Sequence, residues 1–251
     1  MTFIYIAIYP VLAKPMLAGV GVDIAGVFQG YTGSKGPLKT VVGREERIIL
    51  KIFECMNTEI DIKLAPFGRH MSMFNSSKDI DVVTTVYGQN KLVGFETHSH
   101  ITFNNGVSYL AEKFGQSIQS LNDLKGKRVI SFVGATKMFP ELEIIIPAFK
   151  SYSEISNQEI HSKMLFNDRV DAVISDAVIF AHHTAELQRE NQKLYRKPVK
   201  FQQVFKPTPF YLVFKSKMYR DKFNGCLSKL NSLQILDRLN IEYYNEVIIN
   251  K

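Results

Sequence analysis

The apolar pattern of this chain alternates between strand-like and helix-like periods in a fixed order, and that order constrains the fold more than any single motif does. Residues 21–28 (GVDIAGVF) read as a strand, and the Gly-rich stretch 29–37 reads as a loop. In 44–57, Ile49, Ile52, Phe53 and Met56 fall at i, i+3, i+4 and i+7, which is one face of a helix. A short strand at 60–64, a helix from about Gly68 and a strand at 81–86 complete a β-α-β-α-β run. Strands separated by helices pair in parallel, with the helices as crossovers on the faces of the sheet. Near Ser120 the pattern restarts, with a strand at 128–132, a small-residue turn at 133–136, a helix around 154–165, a strand at 172–175 and a helix from near Asp176. The tail 209–233 holds a strand and a helix whose apolar face is Phe223, Cys226, Leu227 and Leu230. Two α/β units with a helical tail after the second predict two lobes and a cleft between them. Residues 21–106 and 207–251 form lobe 1 and residues 107–206 form lobe 2, with crossings near 104–109 and 205–210.

Composition matters here mainly for what it excludes. With 45% hydrophobic and 22% charged residues over 251 positions, disordered, collagen-like and disulfide-scaffold classes are all ruled out. The net charge of +7 is spread along the chain, its densest cluster being Lys125, Lys127 and Arg128. No basic tail or aromatic-rich basic stripe exists to track nucleic acid, so no nucleic-acid partner is expected. The two cysteines, Cys55 and Cys226, are too few for a zinc knuckle. They are either buried thiols or, in an oxidising compartment, one structural disulfide. From Phe3 to Ala13 the chain is almost wholly apolar, and Val11 and Ala13 offer the small side chains that signal peptidase requires, which marks 1–20 as a candidate signal peptide or partial leader. No basic residue precedes this run and Pro10 interrupts it, so a buried first strand is the alternative. No segment reaches the roughly 20 apolar residues of a membrane span, and no Cys follows the cleavage region to carry a lipid anchor.

The stretches SLNDLKGKRVISFVGAT (120–136) and LFNDRVDAVISD (165–176) carry a resemblance. Their order and spacing resemble the family 3 solute-binding proteins, the type II periplasmic binding proteins of ABC importers, with this chain a divergent member. That family has a D-L-K-G-K-x-V turn and strand leading to a G-x-T loop, here Gly134-Ala135-Thr136. It also has an L-x-x-G-R-x-D-A-x-x-x-D element, here with Asn167-Asp168 in place of the usual Gly. Pro66-Phe67-Gly68-Arg69 and Tyr152, Glu154 and Gln158 are similar to a subgroup carrying P-W-x-R and Y-x-E-x-x-x-Q. The resemblance implies an α/β fold of two lobes, each a mainly parallel sheet flanked by helices, with the ligand cleft between them. It implies a periplasmic, monomeric, non-enzymatic protein that captures a small polar solute for a membrane permease. A sensory domain serving a membrane sensor, or an enzyme on the same fold, is the alternative.

The candidate ligand-binding residues are Phe28, Tyr31, Arg69, Thr85, Thr97, Thr136 and Asp176. Small residues at Gly134-Ala135-Thr136 let backbone N–H groups approach an anion, unless the segment is simply a tight turn. Asp176 projects from the carboxyl end of a strand, where open α/β sheets bind ligands. In the family that position meets a ligand amino group, and a helix N-cap is the plainer role. Arg69 either grips a carboxylate through its planar fork or forms a surface ion pair. Phe28 and Tyr31 flank the first loop as an aromatic wall or as core.

The departures are equally informative. Amino-acid binders carry T-x-x-R after the lobe 1 strand, and this chain has no Arg between Arg69 and Arg128. Lys91, Gln89 and Asn90 offer weaker substitutes, so tight binding of ordinary α-amino acids is not expected. The usual S-D-P-Y is replaced by Thr97-His98-Ser99-His100. His98 and His100 share a strand face but lack a third ligand, and His182 and His183 diverge on a helix, so no metal is assigned. No catalytic signature and no cofactor motif is present.

Overall fold

The computed structural model describes residues 16–22, 43–66, 69–88, 92–115, 117–191 and 195–246. The chain opens with β1 (Met16–Val22), α1 (Arg44–Cys55), β2 (Ile60–Pro66), α2 (Arg69–Ser76), β3 (Val82–Val86), β4 (Phe95–Glu96) and β5 (Ile101–Phe103). It continues through β6 (Asn105–Leu110), β7 (Arg128–Ser131), α3 (Ala135–Met138), α4 (Pro140–Ile145), β8 (Ser151–Glu154), α5 (Gln158–Phe166), β9 (Ala172–Asp176), α6 (Ala177–Glu190) and β10 (Val199–Gln202). It closes with β11 (Thr208–Phe214), α7 (Lys217–Ser232) and α8 (Ile235–Tyr244).

The strands form two sheets, ordered β2-β1-β3-β11-β4, with β5 also on β11, and β10-β6-β9-β7-β8. Each has a parallel heart: β1 lies between β2 and β3, and β7 lies between β8 and β9. Beside it sits one strand that arrives from the other sheet, β11 antiparallel to β3 and β6 antiparallel to β9. The sheets are therefore mixed, where mainly parallel ones were expected. The reason is the connection: β5 passes to β6 through Asn104 alone and β10 to β11 through residues 203–207. Links that short hold no crossover helix, so each strand runs directly from one sheet into the other.

Two further expectations are corrected. The first strand is β1, which begins at Met16 and pairs with β2 through Val22, so it starts five residues before the strand expected at 21–28. The rest of the expected strand, 23–28, lies outside the described residues. The helix expected around 154–165 begins only at Gln158, capped by Asn157, whose side chain accepts from Glu159 N and Ile160 N. The residues before it form β8, an edge strand of alternately exposed and half-buried polar residues that offers no apolar period to read.

Period-2 alternation divides the apolar side chains between the faces of each sheet. Val82, Leu212 and Phe214 turn to the core shared with α1, α7 and α8, while Val83, Val86 and Val213 pack with Phe74 of α2. In the second sheet Val129, Ala172 and Ile174 face one core and Ile130 and Val173 the other. The predicted face of α1, Ile49, Ile52, Phe53 and Met56, is fully buried. Burial of such a side chain is worth about 1.5–3 kcal/mol. Cys55, at the end of α1, is disulfide-bonded to Cys226 of α7, with Cα atoms 5.9 Å apart. Among the described residues no helix is long and apolar enough to cross a membrane.

Candidate functional site

The strand orders locate the site before any side chain does. From β1 the chain moves outward to β2, then crosses to β3 on the other side, and β7, β8 and β9 repeat this arrangement. The crevice outside the carboxyl ends of strands at such a reversal is where open α/β sheets bind ligands. In the second sheet those ends carry residues 132–136, after β7, and Asp176, which ends β9. In the first they carry Tyr87, just after β3; the residues after β1 lie outside the described part.

At the second sheet's crevice a carboxylate is already in place. Gly134 takes φ of 91°, a left-handed conformation that glycine adopts without steric cost, and so aims its N–H at the neighbouring strand end. Glu154 Oε2 accepts from Gly134 N at 2.7 Å. Glu154 Oε1 accepts from Thr136 N at 2.9 Å, Thr136 Oγ1 at 2.9 Å and Tyr152 Oη at 3.0 Å. The loop is thus an anion nest, and its anion is a side chain of the same protein. Partial burial alone would raise the Glu154 carboxyl, but the bonds from Thr136, Gly134 and Tyr152 outweigh it and hold the group below its ordinary range. Glu154 stays ionised.

Its charge extends across to the first sheet. The Tyr87 hydroxyl is pushed up by burial first and by the negative Glu154 second. The Tyr87 ring leans on Phe210 of β11 at 5.7 Å. Tyr87, just after β3, therefore lies within electrostatic reach of Glu154, which ends β8. Tyr152 is raised as well, by burial and then by Glu154, so both phenols stay protonated as donors.

The other expected residues have partners of their own. Asp176 is 2% exposed. It caps α6 by accepting from Val178 N at 2.9 Å and Ile179 N at 3.1 Å, and its second oxygen accepts from Asn104 N at 2.7 Å. Asn104 is the link between β5 and β6, so Asp176 ties the helix start to one of the two crossings. Burial raises its carboxyl, while Arg44 and these N–H groups pull it back.

Thr85 is turned into the first lobe, where its hydroxyl donates to Glu45 Oε2 at 3.0 Å. The same carboxylate holds buried His100 at 2.8 Å. Thr85 has φ of 56°, an outlier for a β-branched residue, at the register shift between β3 and β11. Thr97 accepts from Leu212 N at 3.0 Å and donates to its neighbour's carbonyl. Arg69 is exposed at the start of α2. Phe28, Tyr31, Phe67, Gly68, Gln89, Asn90 and Lys91 lie outside the described residues.

Among the described residues of the expected set, only Thr136 meets the nest. Glu154 and Tyr87 complete the site, and sequence reasoning did not place either there. The readable signal for Glu154 was the spacing of Tyr152 and Glu154, which puts both on one face of a strand.

No protein-family model and no curated protein matches the chain by sequence. Solved structures do. An amino acid ABC transporter substrate-binding protein, AbpA, from Streptococcus pneumoniae, bound to L-arginine, superposes with a TM-score of 0.70 at 17% identity, covering 93% of this chain and 96% of that one. A histidine kinase sensor domain with similarity to periplasmic binding proteins gives 0.69 at 14% identity over 92% of this chain and 96% of that one. The GluR0 ligand-binding core with L-glutamate gives 0.70 at 13% identity over 92% and 99%. With the strand orders and the two crossings, these likenesses establish that the chain has the two-lobed α/β fold of the type II periplasmic binding proteins.

Proposed function

We propose that this chain is an extracytoplasmic solute-binding protein that captures a small polar solute between its lobes, without turnover, and delivers it to the membrane permease of an ABC importer. The observation that supports this most directly is the Glu154 carboxylate, fixed by Gly134, Thr136 and Tyr152 and felt by Tyr87 of the other sheet. It makes the crevice a polar receptor with an aromatic wall. The lobes in this reading are 21–106 with 207–251, and 107–206, with the crossings near 104–109 and 205–210. The Cys55–Cys226 disulfide suits the oxidising space outside the cytoplasm.

The same site points to the class of solute. A carboxylate entering the nest meets four donors already taken and a like charge beside them. An amine, ammonium or guanidinium meets a fixed negative charge, with aromatic faces nearby for cation–π contact. The reading is therefore a cationic or donor-rich solute, with ordinary zwitterionic α-amino acids poor ligands because the T-x-x-R arginine after the lobe 1 strand is missing from the sequence. A sensory role is the second reading, favoured by the likeness to the kinase sensor domain.

A thermal-shift panel of amines, guanidines, quaternary ammonium compounds, amino acids, organic acids and sugars tests this. A ligand at 100 times its dissociation constant adds about 2.7 kcal/mol of stability. The expected hits are cationic, and Glu154→Gln should abolish their shift. A sub-micromolar dissociation constant for a zwitterionic amino acid would overturn the solute class, and turnover of any hit would overturn binding as the function.

A further inference from the structure

We infer that His182, His183 and Glu186 of α6 form a site for one divalent transition-metal ion of the zinc class. Adjacent residues diverge by about 100° on a helix, which is why the two histidines look unrelated in sequence. Glu186, one turn further on, lies at i+4 from one and i+3 from the other and draws them together. Glu186 Oε2 is 3.5 Å from His182 Nε2 and 3.4 Å from His183 Nδ1, and the three donor atoms all lie within 4.8 Å of one another.

These separations are long for charge-assisted hydrogen bonds, which run about 2.7–2.9 Å. They match the roughly 3.4 Å between neighbouring donors around a tetrahedral ion with bonds of about 2.0–2.1 Å. Both imidazoles are buried, at 5% and 2% exposure, while Glu186 opens to solvent and leaves a way in for the ion and for a water as fourth ligand. Two imidazole nitrogens and one carboxylate oxygen suit zinc over calcium or magnesium.

A further contact orients the first ligand. His182 Nδ1 lies 3.4 Å from Tyr243 Oη of α8, with the two rings nearly parallel and 6.4 Å apart. A metal-bound histidine commonly gives its other nitrogen to such a partner, which fixes the ring and directs Nε2 to the ion. Tyr243 belongs to the C-terminal helices packed on α1, whereas α6 packs on the second sheet, so an ion here would stiffen the contact between the two lobes.

The test uses the full chain, stripped with chelator and titrated with Zn2+, with Co2+ as a spectroscopic probe. The expected result is one ion per chain, a tetrahedral cobalt spectrum and a raised melting temperature. Glu186→Gln, a half-exposed change that spares the core, should weaken uptake at least about tenfold, and His183→Asn should abolish the spectrum. His98→Ala, at an exposed histidine elsewhere, should change nothing. Substoichiometric uptake, uptake unchanged in Glu186→Gln and His183→Asn, or loss of uptake in His98→Ala would overturn the site.

Discussion

At Glu154 one side chain supplies the anion that a Gly-Ala-Thr loop was expected to take from a ligand. The loop's chemistry was readable, since small residues at a strand end expose N–H groups whatever they bind. Its occupant was not, because Glu154 lies 18 residues beyond Thr136 on a strand too polar to show a period. Glu154→Gln should destabilise the protein by about 1–3 kcal/mol, since an amide cannot accept from Gly134 N and from the Thr136 and Tyr152 donors at once. The acid limb checks the assignment. The carboxyl is held below its unfolded value, so its stabilisation is complete above the ordinary 4.5 and is lost as pH falls through the lower folded value. Urea unfolding across that range should show a shallower acid loss in Glu154→Gln than in wild type, and identical slopes would remove Glu154 from the account.

Among the elements, α1 was legible because its apolar face repeats at 3.6 residues, and β8 was hidden because an edge strand buries almost nothing. The pairing of Cys55 with Cys226 was left open by the sequence, for a disulfide depends on α7, which follows the whole second sheet along the chain, returning to pack on α1. That return also sets its worth. The cysteines are 171 residues apart, and closing so long a loop in the unfolded chain is worth up to about 5 kcal/mol by chain entropy. Reductant, or Cys55→Ser with Cys226→Ser, should therefore lower the melting temperature markedly while leaving α1 in place through Ile48, Ile49, Ile52 and Phe53. Unchanged unfolding with and without reductant would show that the thiols are not paired in the protein as made.

At the scale of the whole molecule, two parallel hearts of the same strand order are joined by two short links, and the restart near Ser120 made the two halves visible in advance. The antiparallel strand in each half was not visible, because it depends on which sheet a strand joins after a link and not on its own residues. Asp176 sits where these levels meet, capping α6 while holding Asn104 at the crossing. Asp176→Asn separates the two tasks. Asparagine caps helices about as well as aspartate, so α6 should persist. Its amide, however, turns an N–H toward Asn104 N–H, and two donors cannot bond. Global stability is a poor readout, since the change also removes a buried charge whose desolvation offsets part of the loss. Hydrogen exchange at Asn104 is the direct one: its amide should exchange faster by about tenfold or more in Asp176→Asn, with α6 amides unchanged. If Asn104 keeps its protection, the crossing is held by the sheets alone and Asp176 is only a helix cap.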